Sequence, residues 1–158
     1  IPITVPGKLL AQDGLPTDQL LMIGGQVRSY NKVVENAGRL MVTLFAQSIS
    51  FGCDNDTLNR VELAGALCKP PVYRSTPFGR EICDMMLAVP RRYGRADYLP
   101  AIAWGQLAAR CGTLQVGDAL ALEGRVQSRA YKKVTEAGTQ DRVAYEVSIM
   151  HLLEPEDV

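Results

Sequence analysis

Tyr98-Leu99-Pro100-Ala101-Ile102-Ala103-Trp104 and the later segment Leu120 to Tyr131 read as two β-strands with contrasting faces. In an extended chain, alternate side chains point to opposite sides. Tyr98, Ile102 and Trp104 therefore share one face of the first segment, and Leu99, Ala101 and Ala103 the other. In the second segment Leu120, Leu122, Gly124 and Val126 line one face, while Arg125, Gln127, Arg129 and Tyr131 line the opposite one. A strand aromatic is more often core packing than ligand contact. Here the rings and the guanidinium groups occupy faces that lack Leu and Val. Flat rings beside cations suit a ligand made of stacked bases on a charged backbone.

The chain has 158 residues, enough for one domain or two small ones. No apolar run approaches the ~20 residues of a membrane-spanning helix, and no signal-peptide pattern opens the sequence. The first residue is Ile1, which predicts that N-terminal residues precede it in the native polypeptide. The net charge is zero but uneven: residues 1–56 carry −1, residues 57–151 carry +4 and residues 152–158 carry −3. A basic body is compatible with a polyanionic partner. Cys53, Cys68, Cys83 and Cys111 show no C-x-x-C spacing, and His151 is distant in sequence, so no metal site is expected. Without a secretory signal the four thiols read as reduced cysteines of a cytoplasmic protein. Cys68 and Cys83 sit in apolar runs, where burial is expected.

Taken in order, Ile1 to Val5 is extended, and Gly7 to Asp13 reads as a short helix stopped by Gly14. Leu20 to Ser29 and Arg39 to Phe51 read as strands joined through a long polar connection, Tyr30 to Gly38. Residues 53–57 read as a linker. Arg60 to Leu67 then alternates, with Val61, Leu63, Gly65 and Leu67 on one face, before Pro70-Pro71 breaks it. Thr76-Pro77-Phe78-Gly79 has the composition of a tight turn. Glu81 to Val89 is a strand with Cys83, Met85, Leu87 and Val89 inward, and Pro90 to Ala96 is a basic loop. Gln106 to Cys111 reads as a helical turn or two ended by Gly112, and Val116-Gly117-Asp118 as a turn. Arg142 to Leu152 is the last strand, with Val143, Tyr145, Val147 and Ile149 inward. Five strands with a short helix between the third and fourth is the element order of the OB-fold, a five-stranded Greek-key barrel. A β-sandwich needs about seven strands and fits less well.

An internal repeat extends this reading. Residues 1–11 lie over residues 99–109 at an offset of 98, with Pro2, Gly7, Leu9 and Ala11 identical to Pro100, Gly105, Leu107 and Ala109. Gly25, Val27 and Ser29 then match Gly124, Val126 and Ser128, and Tyr30, Lys32, Val33 and Glu35 match Tyr131, Lys133, Val134 and Glu136. Residues 1–52 are therefore expected to be the second half of a first OB-fold, with about forty residues upstream completing it. Pro6 stands where Trp104 stands in the later copy, so the first copy is expected to serve packing and assembly more than stacking.

From Asn59 to Leu153 the chain resembles bacterial single-stranded DNA-binding proteins. The residues that carry the resemblance are Asn59-Arg60-Val61-Glu62-Leu63-Ala64-Gly65, Arg74-Ser75-Thr76-Pro77-Phe78-Gly79, Leu87-Ala88-Val89, Ala103-Trp104-Gly105-Gln106-Leu107-Ala108, Gly117-Asp118, the run Glu123 to Tyr131, and Tyr145-Glu146-Val147. The resemblance implies an all-β protein: a complete OB-fold over 58–153, preceded by the second half of another, with 154–158 a short acidic tail. It implies four barrels around the DNA, here two per chain in a homodimer. The family's stacking aromatics fall on Tyr93, Tyr98, Trp104 and Tyr131. Arg91, Arg92, Arg95, Arg125, Arg129, Lys132 and Lys133 are expected to neutralise phosphates. The chain ends in Glu154-Pro155-Glu156-Asp157-Val158, without the family's long linker and Phe-ending acidic tip. Recruitment of repair partners through such a tip is therefore not expected.

The expected function is sequence-tolerant binding of single-stranded DNA in replication, recombination or repair, in the cytoplasm at the nucleoid, with no cofactor and no membrane partner. An OB-fold assembly module and an RNA-binding OB protein are the alternatives. One histidine, no clustered carboxylates and no phosphate-cradling glycine loop leave no evident catalytic set, so an enzyme is not expected.

Overall fold

A computed structural model of the chain describes residues 1–10, 14–16, 18–34, 36–51 and 57–154. Its strands are β1 (Ile3–Thr4), β2 (Leu21–Val34), β3 (Ala37–Phe51), β4 (Val61–Leu67), β5 (Val72–Ser75), β6 (Glu81–Pro90), β7 (Ala96–Trp104), β8 (Ala119–Thr135) and β9 (Gly138–Leu153). A short helix, α1 (Gln106–Cys111), lies between β7 and β8. The chain divides into two units, Ile1–Asn59 and Arg60–Val158.

The second unit is a closed barrel. Its sheet runs β4-β8-β9-β7-β6, and β4 returns to pair with β6 through Ala66 with Ala88 and Leu67 with Leu87. The pairings are antiparallel except β7 with β9, which is parallel. Five strands closed in this order, with a helix before β8, form an OB-fold. The inward residues follow the expected alternation: Leu63, Leu67, Cys83, Met85, Leu87, Leu99, Ala101, Ala103, Leu122, Val147 and Ile149 are buried. α1 packs on β6 and β7, and buries Ala108 and Cys111. Its first residue follows Gly105 at φ +62, a conformation glycine adopts at no steric cost.

Three features of this unit differ from the sequence reading. Val72–Ser75 forms a sixth strand, β5, added to the outside of β6. All four of its residues are exposed, so they carry no apolar alternation to read. The helix therefore falls between the fourth and fifth of six strands. Val143 and Tyr145 were expected inward. Val143 is exposed and Tyr145 is half-buried, because the β8–β9 hairpin continues to a tip at Thr135 and Gly138, past the last inward residue that the barrel covers. Cys68 lies just past β4, half-buried, with its thiol donating to the Met86 carbonyl at 3.3 Å.

In the first unit, the residues between Tyr30 and Gly38 are not a long connection. β2 runs on to Val34, and β3 starts at Ala37 directly opposite it. Asn36, at φ +64, helps turn the chain between them, in the left-handed region where Asn is favoured. Only Gly7–Leu9 of the expected helix forms, as a single 3₁₀ turn; Ala11–Asp13 lie outside the described residues. So do 52–56, which hold most of the expected linker, and 155–158 of the tail.

The repeat has a structural counterpart in each unit taken by itself. β1 pairs in parallel with β3 through Ile3 with Leu44 and Thr4 with Phe45. β7 pairs in parallel with β9 through Ala101 with Val147 and Ile102 with Ser148. Each following hairpin carries one bulge at the corresponding place, with Gln47 the extra residue in β3 and Met150 in β9. Opposite each bulge stands a glycine. A Cβ on Gly25 would overlap the Phe45 carbonyl, and one on Gly124 the Ser148 carbonyl. Both glycines are required by close backbone approach.

Candidate nucleic-acid interface

The strand registers decide which side chains share a face. Ile102 on β7 pairs with Ser148 on β9, and Ser148 pairs with Arg125 on β8. Gln127, Arg129 and Tyr131 stand opposite Glu146, Ala144 and Arg142. Alternation then places Tyr98, Ile102 and Trp104 on the same side of the sheet as Arg125, Gln127, Arg129 and Tyr131. The core residues Ala101 and Val147, with the half-buried Val126, are on the other side. The face deduced from two separate strands is continuous across three.

The face is not uniformly open. Tyr98 is 45% exposed, whereas Trp104 and Tyr131 are half-buried. Ile102, Ser148 and Glu146 are buried although they point away from the core. The long side chains around them provide cover. Gln127 donates from Nε2 to Glu146 Oε1 at 2.9 Å, and Arg129 Nε stands 3.6 Å from the same oxygen. A buried carboxylate needs such partners. Arg129 thus balances Glu146 and still has half its side chain in solvent. Over Trp104 lies Arg80, its guanidinium carbon 5.0 Å from the ring centre, within cation–π range.

The turn between β6 and β7 carries the remaining predicted residues. Arg91 donates its backbone N–H to the Arg95 carbonyl at 2.7 Å, closing the loop. Tyr93 sits at its tip, 96% exposed, at φ +66. A non-glycine residue in this region is uncommon and strained, and such strain clusters at functional positions. Arg92 and Arg95 are exposed on either side.

Two of the seven predicted phosphate contacts are placed differently from the rest. Arg91 turns inward, with Nε 3.1 Å from Oδ2 of Asp97, which is buried. Its charge serves the fold. Lys132 alternates to the side opposite Tyr131 and pairs across the hairpin with Asp141, whereas Lys133 shares the Tyr131 face. Arg92, Arg95, Arg125, Arg129 and Lys133 remain with the rings. Sequence reasoning missed Arg80. Its signal is the register of the β6–β7 pair, Ile82 with Trp104, which sets Arg80 one step beyond the indole. Pro100 lies inside β7 but just outside the two-residue pairing with β9, where a missing N–H is tolerated.

Among the described residues no cluster of three or more His, Cys, Asp or Glu could hold a metal ion. None of their helices is long and apolar enough to cross a membrane. Cys83 and Cys111 are fully buried. Burial, followed by the nearby Cys83, pushes the Cys111 thiol up to about 11, and burial likewise raises Cys83.

A closed OB barrel with rings and cations on one outward face belongs to the class of folds that bind oligonucleotides and oligosaccharides. The model of the single-strand binding protein family matches residues 58–153, and the chain belongs to that family. It is 35% identical over 82 residues to single-stranded DNA-binding protein 1 of Staphylococcus aureus, covering 48% of this chain and 49% of that protein. It is 34% identical over 82 residues to single-stranded DNA-binding protein A of Bacillus subtilis, covering 48% of both. The structure is similar to that of the wild-type single-stranded DNA binding protein from Thermus aquaticus, with TM-score 0.70, 28% identity, and coverage of 90% of this chain and 62% of that one. A deletion mutant of that protein gives TM-score 0.72 at 26% identity, covering 87% of this chain and 60% of the other. The chain thus spans about half the length of the curated relatives it matches.

Proposed function

We propose that the chain binds single-stranded DNA with little regard to sequence, in replication, recombination or repair. Tyr93, Tyr98, Trp104 and Tyr131 stack on bases, each contributing about 1–3 kcal/mol. Arg92, Arg95, Arg125, Arg129 and Lys133 neutralise phosphates. One observation carries this reading: the Ile102–Ser148–Arg125 register, which aligns rings of β7 and cations of β8 on one side of the barrel. Every base has a π-face, so such a surface is tolerant of sequence. Phosphate neutralisation releases counterions, so affinity falls steeply with salt. Anisotropy of a labelled oligo-dT at two salt concentrations, with a matched RNA strand as competitor, tests the proposal. Tight binding lost at high salt supports it. Absence of binding at low salt, or preference for the RNA, contradicts it.

We also propose that residues 1–52 are the second half of a first OB-fold and that the chain self-associates as a dimer of two-barrel chains. The parallel pairing and the bulge, repeated in the two units, support the first statement. The Thermus matches reach 87–90% of the chain, beyond the family-matched 58–153. Within the described residues β2 has β3 as its single strand neighbour, and an open edge is stabilised by a further strand. Light scattering of the purified protein reads the assembly directly. The proposed location is the cytoplasm, at the nucleoid; free Cys68, Cys83 and Cys111 accord with a reducing compartment.

A further inference from the structure

The turn joining β5 to β6 holds a ring that neither the fold nor the proposed site has used. Phe78 is 96% exposed. An isolated exposed apolar side chain is ordinary, but the backbone that carries this one is held in a hydrogen-bonded turn. Gly79 donates its N–H to the Thr76 carbonyl at 2.9 Å, and Thr76 donates to the Arg80 carbonyl at 2.7 Å. The Arg80 N–H is held by Thr76 Oγ1 at 3.0 Å. Pro77 fixes its own φ, and Gly79 supplies the positive φ of +75 that closes the turn. A turn whose backbone is already ordered loses little further backbone entropy when its ring stacks.

Its neighbours indicate what it would stack on. Arg80, two residues on, lies over Trp104 at 5.0 Å and has no ion-pair partner among the described residues. Arg74 pairs in register with Ile82, and Ile82 with Trp104, so Arg74 stands on the Trp104 side of the sheet. There its Nε meets Asp84 Oδ2 at 3.0 Å. The turn therefore continues the ring-and-cation face past the edge of β7. A protein partner would favour a broader apolar surround than one ring among arginines.

We propose that Phe78 and Arg80 form an additional single-strand contact on the β5–β6 turn. Phe78 stacks on a base beyond the one at Trp104, and Arg80 neutralises the phosphate between them. This rests on the single-stranded DNA reading above. The test is oligo-dT binding by the full chain and its Phe78→Ala, Phe78→Trp and Arg80→Ala variants, each over a salt series. Phe78→Ala should bind roughly five- to 150-fold more weakly with an unchanged salt slope, since a ring carries no charge. Phe78→Trp should restore the affinity. Arg80→Ala should lower the slope by about 0.7, the value of one single-strand phosphate contact.

Wild-type affinity in Phe78→Ala, while Trp104→Ala is weakened, overturns the inference and leaves the function standing. An altered mass by light scattering in Phe78→Ala, with affinity unchanged, assigns the ring to a contact between copies and also overturns it. A wild-type protein that binds no oligo-dT overturns both proposals.

Discussion

Arg91 and the buried Asp97 form an ion pair, with Nε 3.1 Å from Oδ2, at the base of the loop that presents Tyr93. Arg125, by contrast, is exposed on the face that Tyr131 shares. The two arginines should therefore fail differently. Arg91→Ala removes the cation beside a buried carboxylate and should cost roughly 1–3 kcal/mol of stability, read by denaturant unfolding. Arg125→Ala should leave stability unchanged and reduce the salt slope of oligo-dT binding by about 0.7. A folded, stable Arg91→Ala protein with a reduced slope would return Arg91 to the binding face.

Gly124 lies against the Ser148 carbonyl, and the bulge at Met150 bends β9 around it. Gly124→Ala drives a methyl group into backbone that cannot rotate away. It should destabilise the protein by about 2 kcal/mol or more, seen as a drop in the thermal midpoint. Gly79→Ala, at positive φ but in open space, should cost only the conformational strain of about 1 kcal/mol. Equal losses in the two variants would refute the close-approach argument.

Burial pushes the Cys111 thiol up from the ordinary 9.0 to about 11 in the folded barrel. The folded state then holds its proton more tightly than the unfolded state. The stabilisation is complete below pH 9 and is lost as pH rises towards 11. Chemical denaturation at pH 8, 9.5 and 10.5 should show the decline, and Cys111→Ala should make it shallower, the raised Cys83 thiol contributing part of the rest. Native thiol titration at pH 8 should find Cys83 and Cys111 unreactive.

Much of this architecture is legible from side-chain alternation. Cys83, Met85 and Leu87 recur every second residue, and each is buried; Leu99, Ala101 and Ala103 do the same in β7. The ring face was legible for the same reason, since Tyr98 and Trp104 alternate with Leu99 and Ala103. The losses have physical causes. Val72–Ser75 gains its pairing from the turn that returns it to β6, and buries no side chain fully. Tyr30 to Val34 is exposed throughout because it projects in a hairpin arm; its order comes from cross-strand hydrogen bonds, which leave no apolar alternation. Arg91 could not be told from Arg92 by type or neighbours. Only the fold brings Asp97 to one and not the other. The same is true of Lys132, whose face depends on parity within β8.

Trp104 is the single tryptophan of the sequence, half-buried on the proposed binding face beneath Arg80. Its fluorescence during titration with oligo-dT reports on that face alone. Stacked bases should quench the emission in proportion to occupancy, and added salt should restore it. Saturable binding by anisotropy with Trp104 emission unchanged would move the nucleotides to another surface of the protein.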